Sequence, residues 1–175
     1  MAGAPQLTLP PFAPRWPWIG GDLQTVRNWL VKPQPRLETW PTERIELAME
    51  DGTGDVLHGV LQRPAEDRAR PLVLLVHGLT GSSESSYMRT TAFHMLRAGH
   101  PVLRLNMRGA GPGRGRTRQF YHAGRSADLD RVLRGLVPSL GRHGVVLVGY
   151  SLGANVVLKY LAEQGAQAPV MAGAS

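Results

Sequence analysis

The residues best placed to do chemistry lie at Gly149-Tyr150-Ser151-Leu152-Gly153, directly behind the apolar, β-branched run Val145-Val146-Leu147-Val148. A helical pattern follows at once, so this G-x-S-x-G turn joins a strand to a helix. A serine hydroxyl is a poor nucleophile until a base takes its proton, and its attack on an acyl carbonyl builds an oxyanion that needs fixed donors. A tight strand-to-helix turn lifts Ser151 clear of a sheet, and glycine at 149 and 153 keeps that turn uncrowded. The Leu152 amide then stands at a helix N-terminus, where free N–H groups and the dipole favour negative charge. A second donor is expected from the loop after the third strand, His77-Gly78-Leu79-Thr80-Gly81, and the Leu79 amide is assigned to it. The plainer reading, that Gly149 and Gly153 are ordinary turn glycines, is weakened by the strand–turn–helix context.

The machinery that would activate this serine is not in view. No histidine follows Ser151, and Glu163 is the only acid beyond it. His77 and His122 border the relevant loops, but both read as loop-buttressing side chains held by backbone hydrogen bonds. His58, His94, His100 and His143 read as surface or element-end residues, and no H-E-x-x-H or similar metal spacing occurs. Asp128 and Asp130 open a helix, where negative charge suits the dipole, and are read as structural.

The elements that must position Ser151 follow from patterning. Arg44–Met49 and Val56–Leu61 read as strands around Asp51-Gly52-Thr53-Gly54, a hairpin-type connection. Leu72–Val76 is a solid apolar run, as expected of a strand covered on both faces. Residues 87–98 read as a helix ending at Gly99, and Val102–Leu105 as the next strand. After a Gly/Pro/Arg loop at 109–118, Ser126 is expected to cap a helix whose apolar face is Leu129, Val132, Leu133, Leu136 and Val137, with Pro138 helping to end it. The helix after Ser151 carries Leu152, Val156, Val157, Tyr160 and Leu161 on one side, and 170–174 starts like another strand. Strands alternating with helices imply an α/β fold with a mainly parallel sheet flanked by helices. Residues 1–43 read as a Pro- and Trp-rich arm whose four tryptophans pack onto the main body, 44–175.

Composition narrows the setting. The 175 residues suffice for one domain. No apolar run has membrane-spanning length, no signal or transit peptide is visible, and no cysteine is present, so a cytoplasmic protein is the default expectation. The net charge is +7, and eighteen of the twenty basic residues are arginine. No acid lies between Glu84 and Asp128, whereas eight arginines do, a local basic field that could steer anionic lipid, substrate or nucleic acid.

Five motifs, in order, carry a resemblance: Asp22-Leu23-Gln24-Thr25, His77-Gly78-Leu79-Thr80-Gly81, Asn106-Met107-Arg108-Gly109, Tyr121-His122-Ala123-Gly124 and Gly149-Tyr150-Ser151-Leu152-Gly153-Ala154-Asn155. With them the chain resembles an α/β-hydrolase of the YheT-type branch, related to animal abhydrolase-domain esterases. The resemblance implies serine hydrolysis of carboxylic esters, acylglycerols among them, with no cofactor and no metal and a small ester or lipid as substrate. It also implies a Ser-Asp-His triad whose acid and base follow the nucleophile. Neither position is matched here, so the expectation is an incomplete hydrolase domain ending near the sixth strand, weak or inactive by itself. Two alternatives stand beside it: a non-catalytic truncated product, and a basic protein that binds nucleic acid or anions through Arg104–Arg118. A dinucleotide site at Gly109, Gly111, Gly113 and Gly115 is disfavoured, because Pro112 and arginines interrupt it and no helix opens from its last glycine.

Overall fold

A computed structural model describes residues 11–14, 16–32, 34–66 and 68–175, the side chains of Asn28, Trp29 and Val137 excepted. The Pro-rich start at 1–10, Trp29 as a packing residue and Val137 on its helix face lie outside what is described. The chain divides into two compact units, Met1–Pro33 and Gln34–Ser175. In the first, helix α1 spans Gly21–Leu30, where sequence patterning gave only an arm. Its apolar residues Leu23, Val26 and Leu30 are exposed, and Trp16 is 83% exposed.

The second unit is built on a six-stranded sheet. Its strands are β1 (Thr42–Ala48), β2 (Val56–Gln62), β3 (Leu72–Val76), β4 (Val102–Asn106), β5 (Val145–Gly149) and β6 (Ala172–Ala174), in spatial order β1-β2-β4-β3-β5-β6. β2 pairs antiparallel with both β1 and β4, and the remaining pairings are parallel. The β1–β2 connection is the expected hairpin. Its turn is tied by Asp51, whose carboxylate accepts from the Thr53 N–H (3.1 Å) and hydroxyl (2.5 Å).

β3 shows why a five-residue apolar run makes a central strand. Leu72, Leu74 and Val76 face one core while Val73 and Leu75 face another, and all five are buried. The first core is closed by α3 (Ser126–Leu140) through Leu129, Val132 and Leu133, and by α4 (Leu152–Gln164) through Val156, Val157 and Tyr160. The second is closed by α2 (Ser86–Arg97) through Met88, Ala92 and Leu96, with Leu37 and the half-buried Trp40 beside them. Each such aliphatic side chain contributes about 1.5–3 kcal/mol on burial. Trp40 packs edge-on against Phe93, ring centroids 5.8 Å apart.

Two expectations at α3 need correction. The Ser126 hydroxyl does not cap the helix; it donates to Glu163 (2.5 Å) and accepts from Lys159, tying α3 to α4. Pro138 does not end α3, which runs two residues further to Leu140. The proline costs one backbone hydrogen bond, and the helix continues past it for less than a turn. β6 is also shorter than 170–174, although Met171 N–H already pairs with Val145 O at 2.8 Å.

The longest connection, from β4 to α3, is held by one buried cation. Arg108 is among the largest fully buried side chains, and its guanidinium meets Asp128 in a two-point contact (3.0 and 2.6 Å), Asp55 (3.1 Å) and Asp51 (2.8 Å). Asp55 also accepts from the N–H groups of Arg118 (2.7 Å) and Gln119 (3.2 Å). Burial works against the charge on Arg108, yet its bonds to Asp128, Asp51 and Asp55 more than offset that and hold it protonated. The Thr53 hydroxyl and Arg108 draw the Asp51 pKa down to about 2. One guanidinium thus fastens the long loop to the β1–β2 turn and to the start of α3. Arg108→Ala takes from the buried Asp55 and Asp128 their shared cation and is expected to lose about 3–5 kcal/mol in urea denaturation. A loss below about 1 kcal/mol, the value of a surface pair, would contradict this arrangement.

Candidate active site

Ser151 stands between the end of β5 and the first residue of α4, at φ 51° and ψ −116°. L-residues rarely adopt that conformation, and holding one there costs about 1–3 kcal/mol. The glycines at 149 and 153 are sites of close backbone contact. A Cβ on Gly149 would lie 2.5 Å from Ala154 Cα, and one on Gly153 would meet the carbonyl oxygens of His77 and Val76, the latter at 2.6 Å. The start of α4 is therefore pressed against the end of β3. Tyr150 N–H extends the pairing by donating to Val76 O (3.0 Å).

That crowding brings the two expected segments together. A Cβ on Gly78 would lie 3.2 Å from Ser151 Cβ and 3.1 Å from Tyr150 O, so the loop after β3 abuts the serine. The amides of this loop are largely occupied. Gly78 N–H donates to the Tyr87 hydroxyl (3.0 Å), Thr80 N–H to the Tyr121 hydroxyl (2.8 Å), and Gly81 N–H to Gly78 O (3.1 Å). Among the described residues, no partner takes the N–H of Leu79 or of Leu152. These are the two donors singled out from the sequence, one beside Ser151 and one on the loop that touches it. Ser151 and Leu79 are both exposed, so an incoming ligand can reach them.

Three tyrosines and three buried polar residues support this loop. The Tyr87 and Tyr150 rings meet at 4.8 Å, tilted by 52°, and Tyr150 is hydrogen-bonded to Thr91 of α2. On β4, Asn106 accepts from Ser83 N–H (2.8 Å), and Arg104 donates to Ser83 O (2.6 Å) and, at 3.3 Å, to Gln62. Sequence reading had placed Tyr121 and Arg108 in motifs without a role. The signal was present, as polar residues in otherwise apolar or glycine-rich stretches, but their partners lie 20 to 57 residues away.

His77 is fully buried and uses both ring nitrogens. Nδ1–H donates to Gly78 O (2.7 Å), and Nε2 accepts from Met107 N–H (3.0 Å). It ties the β3 loop to the β4 loop, the buttress expected of it. Burial pushes its pKa down, against the smaller opposing effect of Gly78 O. Exposed His122 accepts from Gly124 N–H (3.1 Å), His100 bonds Pro71 O (3.0 Å), and His58 faces Glu46 (3.5 Å). Glu163 bonds Lys159 and Ser126, which keep its carboxyl below the usual range. Among the described residues no hydrogen bond links a base to the Ser151 hydroxyl. Nor does any group of three His, Asp or Glu there converge as a metal set. The glycines at 109–115 form a 3-10 turn at Gly111–Gly113 followed by a second turn, closed by Arg116 N–H on Gly113 O (3.0 Å), not a phosphate-cradling helix start.

Strand order, elbow geometry and loop contact together match a known family. Residues 71–173 fit the model of the alpha/beta hydrolase fold. The chain belongs to the alpha/beta hydrolase fold family. It is similar to the protein YheT of Escherichia coli, 32% identical over 109 residues, 62% of this chain and 32% of that one. It is also similar to medium-chain fatty acid ethyl ester synthase/esterase 2 of Saccharomyces cerevisiae, 32% identical over 60% of this chain and 24% of that protein. An esterase of Pyrococcus furiosus shares the fold with a TM-score of 0.64 at 23% identity, over 82% of this chain and 53% of the other. The chain spans about a fifth to two-fifths of the curated relatives it matches, from 22% to 42%. No helix among the described residues is long and apolar enough to cross a membrane.

The neutral, doubly bonded His77 gives a pH prediction. Its folded pKa lies below the free value near 6.5, so protonation favours the unfolded chain. Stability is fully present above that value and declines as pH falls through the folded pKa. Ring 15N shifts are expected to show one Nδ1–H tautomer that does not titrate near pH 6.5; a normal titration there would contradict the assignment.

Proposed function

We propose that this is a serine hydrolase of carboxylic esters. Ser151 Oγ attacks the acyl carbonyl, and the N–H groups of Leu79 and Leu152 receive the oxyanion. The observation that carries the reading is the strained Ser151 backbone at the mouth of α4, with Gly78 against it and two unoccupied amides alongside. The α4 N-terminus adds a dipole of the right sign for the developing charge. The named activity of the yeast relative favours a fatty-acyl ester as substrate.

The proton of Ser151 needs an acceptor, and the histidines of residues 1–175 do not offer one. His77 is committed at both nitrogens, and among the described residues no hydrogen bond links any of the other five to Ser151. The base and its orienting carboxylate are proposed to be residues other than these. A serine with its oxyanion donors but without triad partners keeps only a small part of the rate. No dedicated observation favours nucleic-acid binding as the primary role.

Turnover of a short-chain p-nitrophenyl ester by residues 1–175 is expected to exceed buffer only slightly, and Ser151→Ala to remove that excess. Equal residual turnover in Ser151→Ala would overturn the role of the serine. Turnover at about 1–1000 per second, the usual enzyme range, abolished by Ser151→Ala, would instead overturn the claim that the base lies elsewhere.

A further inference from the structure

The basic field between Glu84 and Asp128 contracts sharply once the fold is known. Of its eight arginines, Arg89, Arg104, Arg108 and Arg125 face Glu84, Asp51, Asp55 or Asp128, and Arg97 lies over the Phe93 ring at 5.6 Å. Arg114, Arg116 and Arg118 are left. All three are exposed, and no acid pairs with them among the described residues.

These three lie on the long loop that leaves the carboxyl end of β4. The loops bearing Leu79 and Ser151 leave the carboxyl ends of β3 and β5, and the three strands are parallel neighbours. Free arginines and serine therefore stand on one edge of the sheet. The loop is stitched to both sides of the serine: Tyr121 accepts from Thr80 N–H (2.8 Å), and Asn155 of α4 donates to Ala123 O (3.0 Å). From behind, Asp55 holds the N–H groups of Arg118 and Gln119. Two large apolar side chains emerge on the same edge, Phe120 at 59% and Leu79 at 65% exposure. One side of the Phe120 ring rests on Gly109, whose Cβ would meet it at 2.6 Å.

From this juxtaposition we infer that the serine-bearing edge docks on an anionic lipid bilayer. Arg114, Arg116 and Arg118 meet the headgroup phosphates, while Phe120 and Leu79 enter the boundary below them. Cations ringing exposed aromatic and aliphatic side chains complement such a surface, which carries negative charge over an apolar layer. A nucleic acid would match the arginines but gives no use to Leu79. The inference deepens the ester-hydrolase reading, on which it rests for its purpose, because a lipid ester would then be met where Ser151 stands.

The test reads binding alone, by co-sedimentation of the 175-residue chain with vesicles of phosphatidylcholine or of phosphatidylcholine mixed with phosphatidylglycerol. Binding is expected only to the anionic vesicles and is expected to weaken as salt shortens the screening length. The triple variant Arg114→Gln, Arg116→Gln, Arg118→Gln is expected to bind roughly a hundred-fold more weakly. Phe120→Ser should weaken binding several-fold. The charge-matched triple Arg63→Gln, Arg68→Gln, Arg70→Gln, at the opposite edge, should bind like the parent. Equal loss in both triples, indifference to phosphatidylglycerol, or tighter binding of a single-stranded oligonucleotide through the same arginines would overturn the inference. Ser151→Ala is expected to bind unchanged, so vesicle binding and ester turnover fail independently.

Discussion

The packing of α4 against the carboxyl end of β3 is the constraint on which the rest of the site depends. Helix and strand approach so closely that positions 149 and 153 have no room for a Cβ. The chain must leave β5 and enter α4 within two residues, and Ser151 takes the positive φ that this requires. The same closeness sets Gly78 against the serine and leaves the Leu152 amide facing outward at a helix start. A strained residue, a helix dipole and a neighbouring loop are thus consequences of one contact. Preorganisation of this kind is what an oxyanion site needs, since its donors must not have to move during reaction.

The loops around that contact are held by buried polar groups rather than by apolar packing. His77 joins the β3 and β4 loops through both nitrogens, Asn106 and Arg104 fix the Ser83 backbone, and Arg108 gathers three carboxylates beneath the β4 loop. Burying charges this way adds less net stability than a well-packed aliphatic group would. It does demand one geometry, because each partner left unpaired is costly. Directional bonds thereby transmit the position of the sheet to the amides beside Ser151. A cleft of about 240 Å³ at the opposite edge, lined by Arg63, Arg68 and Arg70 among others, lacks such bracing around a nucleophile, and its Arg63 and Arg68 are paired with Glu43 and Glu66.

Much of this was legible in local pattern. The solid runs at 72–76 and 145–148 read as central strands because burial on both faces leaves no polar alternation. The G-x-S-x-G turn was readable because strand, turn and helix signals are adjacent in sequence. What escaped has a common physical origin. The Arg108 carboxylates are 20, 53 and 57 residues away, and the Ser126 hydroxyl found Glu163 rather than its own helix. Helix α1 was hidden by the prolines before it and the glycines at its start. Formal charge misled most, since five of eight arginines in the basic stretch are engaged within the fold. Only three-dimensional pairing reveals which charges remain for a partner.

The account rests on the backbone at Ser151, and comparing the stabilities of Ser151→Gly and Ser151→Ala tests it most directly. Inside a continuous helix, the arrangement an elbow replaces, alanine is the better residue by about 1 kcal/mol. At φ 51° the order reverses, because glycine adopts that conformation without strain. Ser151→Gly is expected to be more stable than Ser151→Ala by about 1–2 kcal/mol in urea denaturation. An alanine variant as stable as the glycine variant, or more so, would mean that the serine sits on relaxed backbone, and the site built upon it would have to be abandoned.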